Sequence, residues 1–196
     1  MKRTLLLLSN GVEEIEAIVV IDLLRRAGIE VLTAAVENEA NLLVRGSHGI
    51  GIQADKDFQE ILGLDPADFD MLILPGGPAV DFLSKQEQIL EFVRQCSQNG
   101  MAIAAICAAP LILAKAGLLK NKTITSFPGI REKILGDIKS YSEERVVQDG
   151  NLITSRGAGT AEEFALALIE FLSGKNDPQS LAKKIQNQII AREFKG

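Results

Sequence analysis

Short apolar runs alternate along this chain with amphipathic segments that end in glycine. This alternation constrains the fold most, because strands that alternate with helices pair into a parallel sheet covered by helices on both faces. Such a sheet needs a large apolar core, and 46% of the 196 residues are hydrophobic. The sequence therefore predicts a single α/β domain over residues 1–196.

The apolar runs and their glycine boundaries locate the individual elements. We expect strands at residues 3–8, 30–35, 70–74, 101–106 and 123–125, and helices at 14–27, 85–98 and 111–116. Hairpins are predicted between residues 42–45 and 50–54 and around residues 149–150. A helix opens at Thr160, where Thr160-x-x-Glu163 has the spacing of a capping box. A last helix begins at Asp177-Pro178 and carries Leu181, Ile185 and Ile189 on one face.

Cys107 stands at the junction between a buried strand and a helix start, in the tract 101–110. A sharp strand-to-helix turn exposes one side chain at the top of a sheet, as the nucleophile elbow of hydrolases does. Amides of Ala108 and Ala109 at the helix N-terminus are expected to lower the pKa of the thiol. A free cysteine can also be a small packing residue, which is how we interpret Cys96. The position of Cys107 favours a catalytic thiol.

Two other loops follow predicted strands and are expected to meet Cys107 at the carboxyl edge of the sheet. The first contains Glu13, Glu14 and Glu16. Glu13 and Glu14 are interpreted as favourable charges at a helix N-terminus, whereas Glu16 lies on a different side of the helix and can face the thiol. A carboxyl group beside a thiol has reason to stay protonated.

The second loop is Pro75-Gly-Gly-Pro78. Adjacent glycines let backbone amides approach a ligand closely, so Gly76 and Gly77 are candidate substrate-binding residues. The amides of Gly77 and Ala108 are predicted to form an oxyanion hole.

Composition and motifs exclude several classes of function. A formal charge of -5 gives no electrostatic footprint for nucleic acid, and the run at residues 5–8 is too short to span a membrane. Two cysteines without a secretory segment indicate a reducing cytoplasm. One histidine and no Cys-x-x-Cys pair indicate no metal site. The Gly157-x-Gly159 pattern fails as a dinucleotide loop because Glu162 replaces the third glycine. Arg156, just before it, is more typical of a solvated or interface charge than of a substrate anchor.

Five segments taken together resemble the ThiJ/PfpI superfamily, in the branch of YajL and the parkinsonism-associated protein deglycase. They are Gly11-Val-Glu-Glu-Ile-Glu16, Ile21-Asp-Leu-Leu-Arg-Arg-Ala-Gly28, Leu74-Pro-Gly-Gly77, Ala104-Ala-Ile-Cys-Ala-Ala-Pro110 and Thr154-Ser-Arg-Gly-Ala-Gly-Thr160. The resemblance implies a flavodoxin-like three-layer sandwich with a mostly parallel central sheet, and a homodimer that pairs through the first helix. It also implies a nucleophilic Cys107 paired with a protonated Glu16, with the Gly77 and Ala108 amides beside them.

The resemblance further implies cofactor-free chemistry on small carbonyl compounds such as 2-oxoaldehydes, or on glycated protein side chains. An alternative is an oxidative-stress sensor or chaperone whose Cys107 is reversibly oxidised. An amidase or peptidase is a weaker alternative, because the thiol lacks a base. Phe127 stands where a histidine occurs in the human relative, and His48 replaces an arginine there. We interpret His48 as a hairpin-tip residue.

Overall fold

The computed structural model describes residues 2–37, 40–174 and 180–191. The strands are β1 (Arg3–Leu8), β2 (Glu30–Ala35), β3 (Leu43–Arg45), β4 (Gly51–Gln53), β5 (Lys56–Asp57), β6 (Met71–Leu74), β7 (Ala102–Ile106), β8 (Thr123–Ile124), β9 (Ser140–Tyr141), β10 (Val146–Asp149) and β11 (Leu152–Ser155). The helices are α1 (Glu14–Arg26), α2 (Phe58–Ile61), α3 (Ala79–Leu83), α4 (Glu87–Gln98), α5 (Pro110–Lys115), α6 (Arg131–Ile134), α7 (Ala161–Ser173) and α8 (Leu181–Gln188).

Seven strands form the central sheet in the order β10-β11-β7-β6-β1-β2-β5. Neighbouring strands are parallel except for the antiparallel pair β10 and β11 at one edge. Because β7, β6 and β1 are adjacent, the loops that follow them meet at the same edge of the sheet. Strands β3 and β4 form a separate antiparallel hairpin, as the sequence predicted.

Both faces of the sheet are covered, which explains why β1 is apolar at successive positions. Leu5 and Leu7 face the core that contains α4 and α5, whereas Leu6 and Leu8 face the core that contains α1 and α7. Each of these leucines is almost completely buried, and such burial contributes about 1.5–3 kcal/mol per side chain. The result is the predicted sandwich of helix, sheet and helix layers.

Some local predictions differ from the structure. The helix expected at residues 85–98 begins at Glu87, and the short helix α3 precedes it. The capping box at Thr160 does not form. The Thr160 hydroxyl instead accepts a hydrogen bond from the Gly157 N–H at 3.1 Å and lies 2.7 Å from Ser155 Oγ. The hydroxyl therefore ties the loop before α7 to the end of β11 rather than capping the helix.

The last helix, α8, begins at Leu181, and the Ser180 hydroxyl accepts a hydrogen bond from the Lys183 N–H. The predicted start at Asp177-Pro178 lies outside the described residues. Ile185 is buried against the core of α1 and α7, with Leu181 and Ile189 packed at its margin, so the predicted apolar face is confirmed. None of the helices in the described ranges is long and apolar enough to cross a membrane.

Candidate active site around Cys107

Cys107 occupies a strained turn between β7 and α5. Its φ angle is 63°, in the left-handed region that non-glycine residues rarely adopt. Such a conformation costs about 1–3 kcal/mol and persists only where the surroundings fix it. Here the Cys107 N–H donates to the Ser155 carbonyl at 3.0 Å, and the Cys107 carbonyl accepts from the Phe127 N–H at 2.8 Å. The backbone is thus held on both sides of a half-buried thiol.

Two backbone amides, those of Gly77 and Ala108, approach the Cys107 sulfur closely enough to lower the pKa of its thiol. Gly77 has a φ angle of 92°, and a Cβ atom there would lie 2.5 Å from the Gly11 carbonyl and from the Glu13 nitrogen. Glycine is therefore needed at this position for both conformation and space. The two amides predicted as an oxyanion hole converge on the reactive atom.

Gly76 fills a different role from its neighbour. Its N–H donates to Glu16 Oε2 at 2.8 Å, so this amide supports Glu16 and is not available to a ligand in this geometry. A Cβ atom at Gly76 would lie 2.6 Å from Cys107 Cβ and 2.7 Å from Glu16 Oε2. The absence of a side chain is what allows the carboxyl group and the thiol to approach each other.

The Glu16 side chain is completely buried. Burial, and to a smaller extent the charge of Glu13, raise its pKa to about 7 against the opposing hydrogen bonds from Gly76 and Cys107. Glu16 Oε1 has no hydrogen-bond partner among the described residues. An ionised carboxylate with a vacant buried oxygen is unfavourable, so the folded protein holds Glu16 in its protonated form up to about neutral pH.

The pKa of the Cys107 thiol is shifted by the same surroundings. Burial and the Glu16 carboxylate raise the pKa of Cys107 to about 12, whereas the Gly77 and Ala108 amides lower it. The prediction that the helix N-terminus lowers this pKa was wrong, because α5 begins only at Pro110 and the two amides do not offset burial and repulsion. When Glu16 holds the proton, the repulsion disappears and the carboxyl O–H can donate to sulfur. Below about pH 7 both groups therefore hold their protons, and above it the Glu16 carboxylate is a base beside the thiol.

Glu14, on the same turn of α1, is bound by the β3–β4 hairpin. Its carboxylate accepts hydrogen bonds from the His48 N–H at 2.6 Å and from the Ser47 hydroxyl at 3.0 Å, and lies 2.9 Å from His48 Nδ1. Burial raises the pKa of Glu14, but these hydrogen bonds outweigh it and lower the pKa to about 2. Gly46 makes room for this contact, since a Cβ atom there would overlap the Glu14 carboxyl group. The interpretation of Glu14 as a helix-dipole charge missed its hairpin partners.

Glu13, Glu14 and His48 have ligand atoms within 4.8 Å of one another, which is the spacing of a metal-binding group in the described part of the chain. These atoms already interact with each other: Ser47 Oγ lies 3.3 Å from Glu13 Oε2, and His48 Nδ1 lies 3.9 Å from it. The arrangement is that of a hydrogen-bonded contact between α1 and the hairpin. His48 is at the hairpin tip, as predicted.

A cavity of about 450 Å³ opens above the thiol. It is lined by Glu13, Glu16, Cys107, Phe127, Arg145, Arg156, Gly157, Ala158, Gly159 and Thr160. Sequence reasoning did not place the two arginines here, and Arg156 is only 24% exposed rather than solvated. The signal that could have found it is its position directly after β11, the neighbour of the strand β7 that precedes Cys107. His48 does not line this cavity, and Phe127 is the aromatic side chain that does.

Residues 2–171 match the DJ-1/PfpI family. The chain belongs to the DJ-1/PfpI family. The matched range includes every residue that lines the Cys107 cavity, and the membership confirms the resemblance to the ThiJ/PfpI superfamily inferred from the sequence segments.

Similar proteins of the DJ-1/PfpI family extend over most of this chain. Protein dj-1beta of Drosophila melanogaster is 39% identical over 184 residues, covering 93% of this chain and 95% of the relative. Its crystal structure has a TM-score of 0.88, with 98% of this chain and 99% of that one covered, which confirms the flavodoxin-like sandwich. A protein from Pyrococcus abyssi named a deglycase is 33% identical, covering 87% of this chain and 99% of the relative. An oxidised DJ-1 of Toxoplasma gondii is 32% identical with a TM-score of 0.87, covering 98% and 100% of the two chains.

Proposed function

We propose that this protein is a cofactor-independent, cysteine-dependent enzyme of the glyoxalase or deglycase type. Its substrates would be 2-oxoaldehydes or early glycation adducts of protein side chains. The observation that carries this proposal is the buried Glu16 carboxyl group beside the Cys107 thiol, at a cavity where the Gly77 and Ala108 amides approach the sulfur. The deglycase relative from Pyrococcus abyssi supports the same class of activity.

The reaction begins when the Cys107 sulfur adds to the aldehyde carbon of a 2-oxoaldehyde, R–CO–CHO, while the Glu16 carboxylate takes the thiol proton and passes it to the new oxyanion. The resulting hemithioacetal oxygen is on the carbon bonded to the sulfur, within reach of the Gly77 and Ala108 amides. Glu16 then moves a proton from the former aldehyde carbon to the neighbouring carbon, which produces a thioester with an adjacent hydroxyl group. Water cleaves the thioester and restores the thiol. The balance is R–CO–CHO plus water to R–CH(OH)–COOH, with no external oxidant.

The direct test measures lactate formed from methylglyoxal. Glu16→Gln keeps the size of the side chain but removes the transferable proton, so we expect turnover to fall about 10²- to 10⁴-fold. Cys107→Ala should abolish turnover, whereas Cys96→Ala, at a cysteine buried inside α4, should retain it. Circular dichroism would show whether each variant is folded. Wild-type turnover in folded Glu16→Gln would overturn the assignment.

A second candidate is a redox sensor with chaperone-like activity, in which Cys107 is oxidised. The protonated Glu16 carboxyl group and the two amides beside the sulfur favour it, because the carboxyl O–H and the amide N–H groups could donate hydrogen bonds to the oxygens of a sulfinate. The similar DJ-1 structure from Toxoplasma gondii is that of an oxidised protein. Counting equivalents distinguishes the two functions: a sensor consumes about one or two peroxide molecules per thiol, whereas an enzyme converts many aldehyde molecules.

We further propose that the chain pairs as a homodimer through α1 and resides in the reducing cytoplasm. Ile15 and Ile18 on α1 are 53% and 45% exposed, and exposed apolar side chains grouped on one helix are unusual on a monomer. Both cysteines are free, which suits a reducing compartment. Sedimentation equilibrium at micromolar concentration should give roughly twice 21.2 kDa. A single species at the monomer mass would contradict the dimer.

A further inference from the structure

Arg156 is set into the wall of the Cys107 cavity by specific contacts. It follows β11 directly, and a Cβ atom on the next residue, Gly157, would lie 3.9 Å from Cys107 Sγ. Arg156 Nη1 donates to the Glu143 carbonyl at 2.9 Å and also to the Glu143 carboxylate. Glu143 thus fixes the guanidinium group through one nitrogen.

The remaining donors of Arg156 are unused. Its Nε and Nη2 groups have no hydrogen-bond acceptor among the described residues, although three quarters of the side chain is buried. A guanidinium group with free N–H donors, fixed in place and partly desolvated, matches a carboxylate or phosphate in geometry and charge. The unused donors therefore point to an anionic ligand in the cavity.

The other charged side chains of the cavity are already engaged elsewhere. Arg145 is 55% exposed, and it donates through Nε to Glu163 at 2.5 Å and through Nη2 to the Gly159 carbonyl at 2.6 Å. Glu13 would repel an anion, but its Oε2 faces Ser47 and His48 on the hairpin. Glu16 carries no charge while it is protonated. Arg156 is thus the cavity residue best placed to bind an anion.

We propose that Arg156 binds an anionic group of the substrate and that this site prefers carbonyl compounds carrying a carboxylate beyond the reacting carbons. The preference rests on the proposed carbonyl chemistry at Cys107 and narrows its substrate class. For 4,5-dioxopentanoate, thiolate addition at the aldehyde, internal proton transfer and hydrolysis consume one water and give 2-hydroxyglutarate. The distal carboxylate takes no part in these steps and serves only for binding.

The turnover experiment compares 4,5-dioxopentanoate with the uncharged 2-oxopentanal, which has the same chain length. We expect kcat/KM of the wild type to favour the anionic substrate, and Arg156→Gln to lower the ratio of the two values about 10- to 100-fold. Arg156→Lys should keep part of the preference, because the charge remains without the planar fork. Arg94→Gln is the matched control: Arg94 is 28% exposed and paired with Glu87 and Glu91 on α4, outside the cavity.

A second measurement does not depend on turnover. Iodoacetate and iodoacetamide alkylate the same sulfur but differ in charge, so the ratio of their rates at Cys107 reports an anion site. We expect Arg156→Gln to lower this ratio about tenfold and Arg94→Gln to leave it at the wild-type value. An unchanged ratio in folded Arg156→Gln would overturn the role of Arg156. A lowered ratio without turnover of either aldehyde would support the anion site while rejecting the proposed enzyme function.

Discussion

Glu14 and Glu16 lie two residues apart in the first turn of α1, and both side chains are buried, yet their pKa values move in opposite directions. The pKa of Glu14 is lowered to about 2, and that of Glu16 is raised to about 7. Both groups lose hydration, and both lie at the positive end of the same helix. The helix dipole therefore cannot explain the difference, whereas the deeper burial of Glu16 explains part of it.

The rest of the difference in pKa comes from the hydrogen-bond donors that other chain segments supply. Ser47 and His48 place two or three donors around Glu14, which is enough to replace the lost water. Glu16 receives the Gly76 N–H and the weaker thiol donor of Cys107, and its Oε1 has no partner among the described residues. One glutamate is thereby kept as a structural anion and the other as a proton carrier. The separation of roles is set by the hairpin and by the glycine loop, not by the helix that carries both residues.

Cysteine labelling gives the largest expected effect. Iodoacetamide at neutral pH should modify Cys107 at least about 100-fold faster than Cys96, because Cys96 is completely buried and reacts only when the structure opens. Glu16→Asp should reduce this preference, since the carboxyl group is withdrawn from the sulfur by one methylene. Glu14→Asp should leave it unchanged. Mass spectrometry of labelled peptides provides the rates, and equal labelling of the two cysteines in the folded protein would contradict the role of Cys107.

The second largest expected effect is on the pH dependence of stability, which should differ between Glu14 and Glu16. In the folded protein, the raised pKa of Glu16 means that more protons are bound than in the unfolded chain between pH 4.5 and about 7. Stability should therefore fall by about 3 kcal/mol as pH rises through this window. Glu16→Gln, which cannot ionise, should lack the fall and should be more stable than wild type at pH 7.5. Urea unfolding from pH 4.5 to 7.5 measures this, and parallel curves for the two proteins would show that Glu16 ionises freely.

Glu14→Gln should lower the stability of the folded protein at neutral pH, whereas Glu16→Gln should raise it. The lowered pKa of Glu14 contributes stability that is present above pH 4.5 and is lost as pH falls towards 2. Replacing the carboxylate weakens charge-assisted hydrogen bonds from the hairpin, so we expect a loss of about 1–3 kcal/mol at pH 7. The same urea titrations would measure it. A Glu14→Gln protein as stable as wild type at pH 7 would show that the hairpin contacts contribute nothing net.

The strands, their order along the chain and the position of Cys107 could be predicted from sequence, because burial on both faces and glycine stops are local signals. The β3–β4 hairpin and the edge hairpin around Gly150 followed from turn residues in the same way. The predictions of the start of α4 and of the capping box at Thr160 were less accurate. Local spacing does not reveal that the Thr160 hydroxyl is already bound to Gly157 and Ser155.

The residues of the candidate site also fall into those that local signals predicted and those that they did not. Glu16, Gly77 and Cys107 were predicted because each follows a strand whose neighbours in the sheet could be inferred. The partners of Glu14 were missed because Ser47 and His48 come from a hairpin outside the main sheet, and no local pattern connects them to α1. Arg156 was misread for a related reason: its burial depends on Glu143, which is thirteen residues earlier in a different loop. Contacts between loops that are distant in the sequence could not be predicted from local patterns.

Substitution of His48 should have the smallest effect on stability. It tests whether the positive charge of the His48 ring contributes to the interaction between the hairpin and Glu14. Contact with Glu14, and the nearby charge of Glu13, raise the pKa of the exposed His48 ring above its usual value of 6.5. The ring therefore stabilises the folded protein most below pH 6.5, and this contribution is lost as pH rises through the raised pKa. His48→Gln should be less stable than wild type at pH 6, by less than Glu14→Gln, because the His48 N–H still donates to Glu14. The two proteins should become equally stable near pH 9. A difference that stays constant from pH 6 to pH 9 would mean that the ring contributes by contact alone, and that the backbone N–H and Ser47 suffice to keep Glu14 ionised.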